Sequence, residues 1–202
     1  EVIDRNYEIT VYDKETLFIL IEMSKLTGRN AKIHLEIETG MNRTGIRPME
    51  LRQAIEKIRS NLHHFDLKGL STHLAGAESI ANYYRIRKQI RTYKRIRNWL
   101  ADHGIYPEIS HMACSAASLN YPVARMDMVR VGILQYGFWP SAETYINFLR
   151  NRIDKTDPLK RVISWKTSVM SINEVRSGEF IGYGTSYLAQ SDKKTAIIPV
   201  GY

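Results

Sequence analysis

Three times before residue 105, a short strand-like stretch is followed by a helix-like one: the first two strands carry apolar residues at every second position, and the second and third helices carry them at steps of three and four. No other feature constrains the fold of this chain as strongly. Tyr7 to Tyr12 alternates as a strand, Asp13 can cap a helix running through Leu26, and Gly28 stops it. Lys32 to Glu38 sets Ile33, Leu35 and Ile37 against His34, Glu36 and Glu38. Pro48 then opens a helix with Leu51, Ile55, Ile58 and Leu62 on one face. Leu67 to Leu74 reads as a third strand. It is followed by a long helix, Ser79 to His103, striped by Tyr83, Ile86, Ile90, Tyr93, Ile96 and Leu100 and ended by Gly104. Glu108 to Ala113 and Met128 to Leu134 add two short strands. This rhythm predicts a parallel sheet or barrel. An eight-strand barrel usually needs about 250 residues. About five strand-helix units are present, so residues 1–140 are expected to form part of a TIM (β/α)8 barrel.

The pattern changes after Pro140. Ser141 to Arg152 can form a short helix and Asp154 to Pro158 reads as a polar turn, giving a connecting segment over residues 141–160. From 161 to 202 the chain is β-rich, with strands expected in Val162 to Val175, Glu179 to Tyr183 and Thr195 to Val200 and a turn at Ser177-Gly178. That is the opening of an all-β domain. The chain starts at Glu1 and stops at Tyr202, directly after the apolar run Ala196 to Val200, which suggests an excerpt of a longer protein.

With 202 residues and 44% hydrophobic content the chain can bury a sizeable core. Its 29 Lys and Arg against 21 Asp and Glu leave a net charge of +8, suited to nucleic acid, an anionic membrane face or a phosphorylated ligand. Cys114 is the only cysteine. An internal disulfide and a thiolate metal cluster are thereby excluded, no metal site is expected, and a reducing cytoplasmic setting is the default. No apolar run approaches the length of a membrane span, and EVIDRNYEIT lacks the regions of a signal peptide.

Polar groups recur where each strand gives way to a loop. Glu36 and Arg43 flank a Gly-Met-Asn turn, Thr72-His73 follows the third strand, His111, Cys114 and Ser115 follow the fourth, and Arg130-Val131-Gly132 the fifth. Successive strand ends of this kind are what a site at the mouth of a barrel requires. Ser115 and the amides near Gly132 and Ile133 can hold a phosphate. Ser115 also reads as an ordinary helix N-cap, and His73 as a satisfied core histidine.

Four segments occur together and in order: HLEIETGMNRTGIR, STHLAGAES, CSAASLNYP with DMVRVGILQYG, and FIGYGTSY with IIPVGY. In this combination, over nearly all 202 residues, the chain resembles the middle of an alanine racemase. The resemblance implies a pyridoxal-phosphate barrel followed by a β domain, a head-to-tail homodimer, alanine as substrate and a two-base mechanism using a lysine and a tyrosine. It aligns Arg130 with the arginine that hydrogen-bonds the cofactor's pyridine nitrogen. Ser115, Gly132, Ile133 and Tyr202 match positions holding the phosphate. His73 matches a histidine linking that arginine to the catalytic tyrosine, and Tyr183 matches the tyrosine itself, supplied from the partner subunit. Without the resemblance, Tyr183 reads as a strand tyrosine at a domain edge.

The chain departs from the family in three places. A lysine, carbamylated by carbon dioxide, is common at the position of Glu36. The carboxylate here is expected to replace the carbamate and to pair with Arg43, which would contact the cofactor's phenolic oxygen or the substrate carboxylate. Cys114 stands where an asparagine is common. The family's cofactor lysine, in its Lys-Ala-Asn-Ala-Tyr-Gly-His context on the first barrel strand, has no counterpart in this sequence, so the chain is expected to be inactive alone. Other readings are a broad-specificity amino-acid racemase or a basic amino-acid decarboxylase of the same fold. A non-catalytic nucleic-acid-binding module is a third, using Arg85, Arg87, Lys88, Arg91, Lys94, Arg95 and Arg97 on the long helix. Arg130 argues against the decarboxylase, which uses an acidic residue at the ring nitrogen. The basic helix reads more simply as a solvated outer face of the barrel, and neither nucleic acid nor membrane is expected as a partner.

Overall fold

The computed structural model describes residues 1–150 and 152–201. They divide into two compact units, residues 1–161 and 162 onward. In the first unit five parallel strands alternate with helices: β1 (Glu8–Val11), α1 (Lys14–Thr27), β2 (Ala31–Glu36), α2 (Pro48–Arg59), β3 (Phe65–Ser71), α3 (Tyr83–Asp102), β4 (Ile109–Cys114), α4 (Ser115–Asn120) and β5 (Met128–Arg130), with α5 (Ala142–Arg150) following. The sheet order is β1-β2-β3-β4-β5 and every pairing is parallel. Strict sequence order is the winding of a (β/α) barrel, whereas a doubly wound sheet reverses direction near its middle. The first unit is therefore part of such a barrel.

Local chemistry sets the element boundaries. The Asp13 Oδ1 accepts from the Thr16 amide at 2.6 Å to start α1, and Gly28, at φ 67°, closes it in the left-handed region. Glu50 accepts from the Arg47 amide at 3.1 Å, bracketing the start of α2 at Pro48. The apolar stripes face the sheet: Leu51, Ile55 and Ile58 from α2, and Ile86, Ile90, Tyr93, Ile96 and Leu100 from α3, are buried with Ile33, Leu35, Leu70 and Met112. Each such side chain contributes roughly 1.5–3 kcal/mol by leaving water.

Several boundaries differ from those expected. The long helix begins at Tyr83, after a 3-10 turn over Ile80–Asn82 whose Ala81 amide bonds the Ser79 hydroxyl. The last barrel strand ends at Arg130, because Gly132 leaves the extended region (φ −109°, ψ −88°) and Ile133–Tyr136 winds into a 3-10 turn. Cys114 occupies the N-cap of α4 without a side-chain bond, and Ser115 is the first helical residue, not the cap.

In the second unit β6 (Ser171–Val175) pairs antiparallel with β9 (Lys193–Ile197), and β7 (Phe180–Ile181) with β8 (Tyr187–Leu188). Gly178, at φ 89°, makes the expected turn, and its amide donates to the Ala189 carbonyl at 2.7 Å. Residues 161–170 take no regular structure, so the strand expected from Val162 is confined to its last five residues. Among the described residues, no helix is long and apolar enough to cross a membrane.

Candidate active site

The loop after β2 is built around a carboxylate. Glu38 accepts from three consecutive amides: Gly40, Met41 at 2.8 Å and Asn42 at 2.8 Å. Gly40 and Asn42 both have positive φ, a turn that lets those amides converge on one side chain. Gln89 of α3, fully buried, ties this loop to the next strand end. Its Nε2 donates to the Thr39 hydroxyl at 3.2 Å and the His73 carbonyl at 3.0 Å, and its Oε1 accepts from the Ala75 amide at 3.0 Å. The Thr39 and Thr72 hydroxyls meet at 2.7 Å. Gln89 carries no functional expectation from the sequence, although it is the polar residue lying inside the apolar stripe between Ile86 and Ile90.

Glu36 and Arg43 lie on the two sides of this loop without joining. The Glu36 carboxylate accepts from the Thr44 hydroxyl at 3.0 Å, Arg43 is exposed, and the ion pair expected between them is not formed. The physical reason is local: Thr44, next to Arg43 in the chain, satisfies the half-buried carboxylate, while the exposed guanidinium keeps its hydration.

At the end of β5, Arg130 is half-buried and held from two strands. Its Nη1 donates to the His111 Nδ1 and, at 3.2 Å, to the His111 carbonyl, and its Nη2 donates to the Thr72 carbonyl at 2.8 Å. Burial lowers the pKa of the guanidinium, and the Glu36 carboxylate opposes that shift. His111 is pushed down to about 4, chiefly by burial, then by the Arg130 charge and by His34. His73 is half-exposed and is also lowered, by burial first and then by Arg130 and Arg43, with Glu36 opposing. His73 is thus within electrostatic reach of Arg130, but the hydrogen-bonding histidine is His111, two residues past the start of β4.

Two residues beyond Arg130, the Gly132 amide donates to the buried Ser115 Oγ at 3.0 Å. The hydroxyl therefore spends one lone pair on the protein and keeps its proton to donate. A Cβ on Gly132 would meet nothing within 4 Å, so open space faces this position, and Ile133 next to it is about half exposed (47%). The Ser115 hydroxyl proton and the Ile133 amide beside open space fit an anionic group. Cys114 lies opposite Arg130 in the strand register. Tyr183, in the second unit, sits with an exposed side chain in the turn between β7 and β8. Tyr202 lies outside the described residues.

Comparison with known proteins agrees along the whole chain. Residues 1–140 match the family model for the alanine racemase N-terminal domain and residues 162–202 that for the C-terminal domain. The alanine racemase of Halothermothrix orenii is 34% identical over 210 residues, covering all of this chain and 52% of that protein. That of Clostridium tetani is 34% identical over 199 residues, covering 98% and 49%. The chain thus spans about half the length of the curated relatives it matches. Among solved structures, the alanine racemase of D-cycloserine-producing Streptomyces lavendulae superposes with a TM-score of 0.75 at 25% identity, covering the whole chain and 51% of that one. The Clostridium difficile alanine racemase does so with 0.69 at 31%, covering 99% and 50%. With its parallel sheet wound in sequence order, its guanidinium braced at a strand end and both domain models matched in order, this chain belongs to the alanine racemase family.

Proposed function

We propose that this chain forms the cofactor-facing portion of a pyridoxal-phosphate-dependent alanine racemase that interconverts L- and D-alanine. The observation that supports it most directly is Arg130, a donor-only side chain held at a strand end by His111 and the Thr72 carbonyl. Pyridoxal phosphate, when bound, supplies the electron sink that acidifies the substrate Cα–H. Arg130 would donate a hydrogen bond to the ring nitrogen and keep its own proton, because a guanidinium, even half-buried, is far more basic than a pyridine. By withholding that proton Arg130 would limit chemistry beyond proton exchange. The Ser115 hydroxyl and the Ile133 amide would hold the phosphate, with Gly132 leaving room for it and Tyr202 as a further partner.

Arg43 faces solvent, ready for the substrate carboxylate or the cofactor's phenolic oxygen. Tyr183 exchanges the proton on one face of Cα and is supplied across a homodimer interface, a role suited to an exposed phenol on a hairpin turn. His73, within electrostatic reach of Arg130 though not bonded to it, would turn its ring to that tyrosine, and burial and the Arg130 charge lower its pKa and favour the neutral imidazole, able to accept as well as donate. The base for the other face is a lysine that no lysine of this chain matches, so the chain alone is inactive.

The test is exchange of the alanine α-proton for deuterium, starting from each enantiomer, with the complete protein and pyridoxal phosphate. Exchange with loss of optical rotation from both enantiomers supports the reading; retention of the α-proton from both refutes it. Arg130→Glu, which offers the ring nitrogen a proton, is expected to lower racemisation and raise side reactions such as amino-group transfer.

A further inference from the structure

Behind Arg130, four side chains from four strands lie in line. The Glu8 Oε2 of β1 is 2.8 Å from the His34 Nε2 of β2, the His34 Nδ1 is 3.0 Å from the His111 Nε2 of β4, and the His111 Nδ1 accepts from Arg130 of β5. β2 and β4 are not neighbours, since β3 runs between them. Their histidines meet because the residue of β3 paired with His34 is Gly69, where a Cβ would collide with the His34 Nδ1. The two rings stand edge to face with centroids 5.2 Å apart, both buried, while the Glu8 carboxylate is 53% exposed.

The direction of every bond in this line follows from one fact: a guanidinium has no acceptor. Arg130 donates, so the His111 Nδ1 presents its lone pair and its proton sits on Nε2. That proton is donated to the His34 Nδ1, which leaves the His34 proton on Nε2, donated in turn to Glu8. We propose that Glu8, His34 and His111 form a one-way hydrogen-bond relay that aims the Arg130 guanidinium, with Glu8 as its solvent-side terminus and a positioning residue for the reaction. The catalytic meaning rests on the reading of Arg130 as partner of the cofactor's ring nitrogen; the relay itself does not. Glu8 closes the line because a carboxylate only accepts, and its pKa is lowered first of all by the His34 bond, with Lys32 and Lys68 assisting. A second proton on either ring would set two N–H groups against each other or one against Arg130.

The test needs no activity. In the complete protein without cofactor, two-bond proton–nitrogen spectra of labelled histidines at about pH 7 report each ring's tautomer. His34 and His111 are both expected as neutral Nε2–H forms; a proton on Nδ1 of either ring overturns the relay. Glu8→Lys puts a donor where an acceptor stood, and is expected to move the His34 proton to Nδ1 and to disturb the His111 resonances. It is also expected to weaken pyridoxal phosphate binding about tenfold, the scale of one charge-assisted hydrogen bond. Glu8→Gln, whose amide oxygen still accepts, is expected to restore both readouts. Unchanged His111 resonances in Glu8→Lys overturn the proposal, and if that variant does not fold, the unsubstituted protein and Glu8→Gln still decide the tautomers. Correct tautomers in a protein that does not bind pyridoxal phosphate would uphold the relay and count against the cofactor reading alone.

Discussion

Acidification tests the burial of His111 directly. The imidazole is 4% exposed, and its pKa falls from the ordinary 6.5 to about 4, through burial first and then the charge of Arg130. Because the folded value lies below the unfolded one, the unfolded chain takes up a proton near pH 6.5 while the native protein refuses it until about 4. Stability contributed by the neutral ring is therefore intact above about 6.5, declines as the pH falls between the two values, and is fully lost below about 4. At about 1.4 kcal/mol per pH unit that gap is worth about 3 kcal/mol, a large part of the 5–15 kcal/mol typical of a domain. His73, also lowered by burial and by Arg130, adds to the loss with the same sign.

The assay is urea unfolding at steps from about pH 7.5 down to about 4, with stability extrapolated to water. The comparison is His111→Gln, whose carbonyl oxygen can accept from Arg130 and whose amide can donate to His34 without titrating. The variant is expected to lose most of the decline between about 6.5 and 4 that the unsubstituted protein shows. Parallel curves for the two proteins would refute the assignment, since they would place the titrating groups elsewhere.

Two further substitutions probe the scaffold of the site. Gln89→Leu keeps the shape of a buried side chain but strands the Ala75 amide and the His73 carbonyl, and should cost about 2–4 kcal/mol in urea unfolding; an unchanged midpoint would show that those groups find other partners. Glu38→Gln removes the charge and one of the two oxygens that gather the Gly40, Met41 and Asn42 amides. Hydrogen exchange at those amides is expected to speed up by roughly tenfold or more, from a local loss of about 2 kcal/mol, and equal protection in both proteins would contradict the assigned role.

The alternation of apolar residues, the Asp13 cap, the Gly28 stop and Pro48 at a helix start were enough to determine a wound parallel sheet, because these signals act within a few residues. The succession of strands and helices placed Arg130, Ser115 and His73 at strand ends. What lay beyond sequence reading depends on strand register and on contacts far apart in the chain. His34 reads as one polar residue of an alternating strand, and only the pairing of Gly69 beside it opens the gap through which it reaches His111, 77 residues away. The Glu36 carboxylate was expected to hold Arg43, yet the backbone turn delivered Thr44 to it instead. Periodicity decides which face of a strand a residue occupies. Which residues meet across that face is decided by register, and register is a property of the assembled sheet.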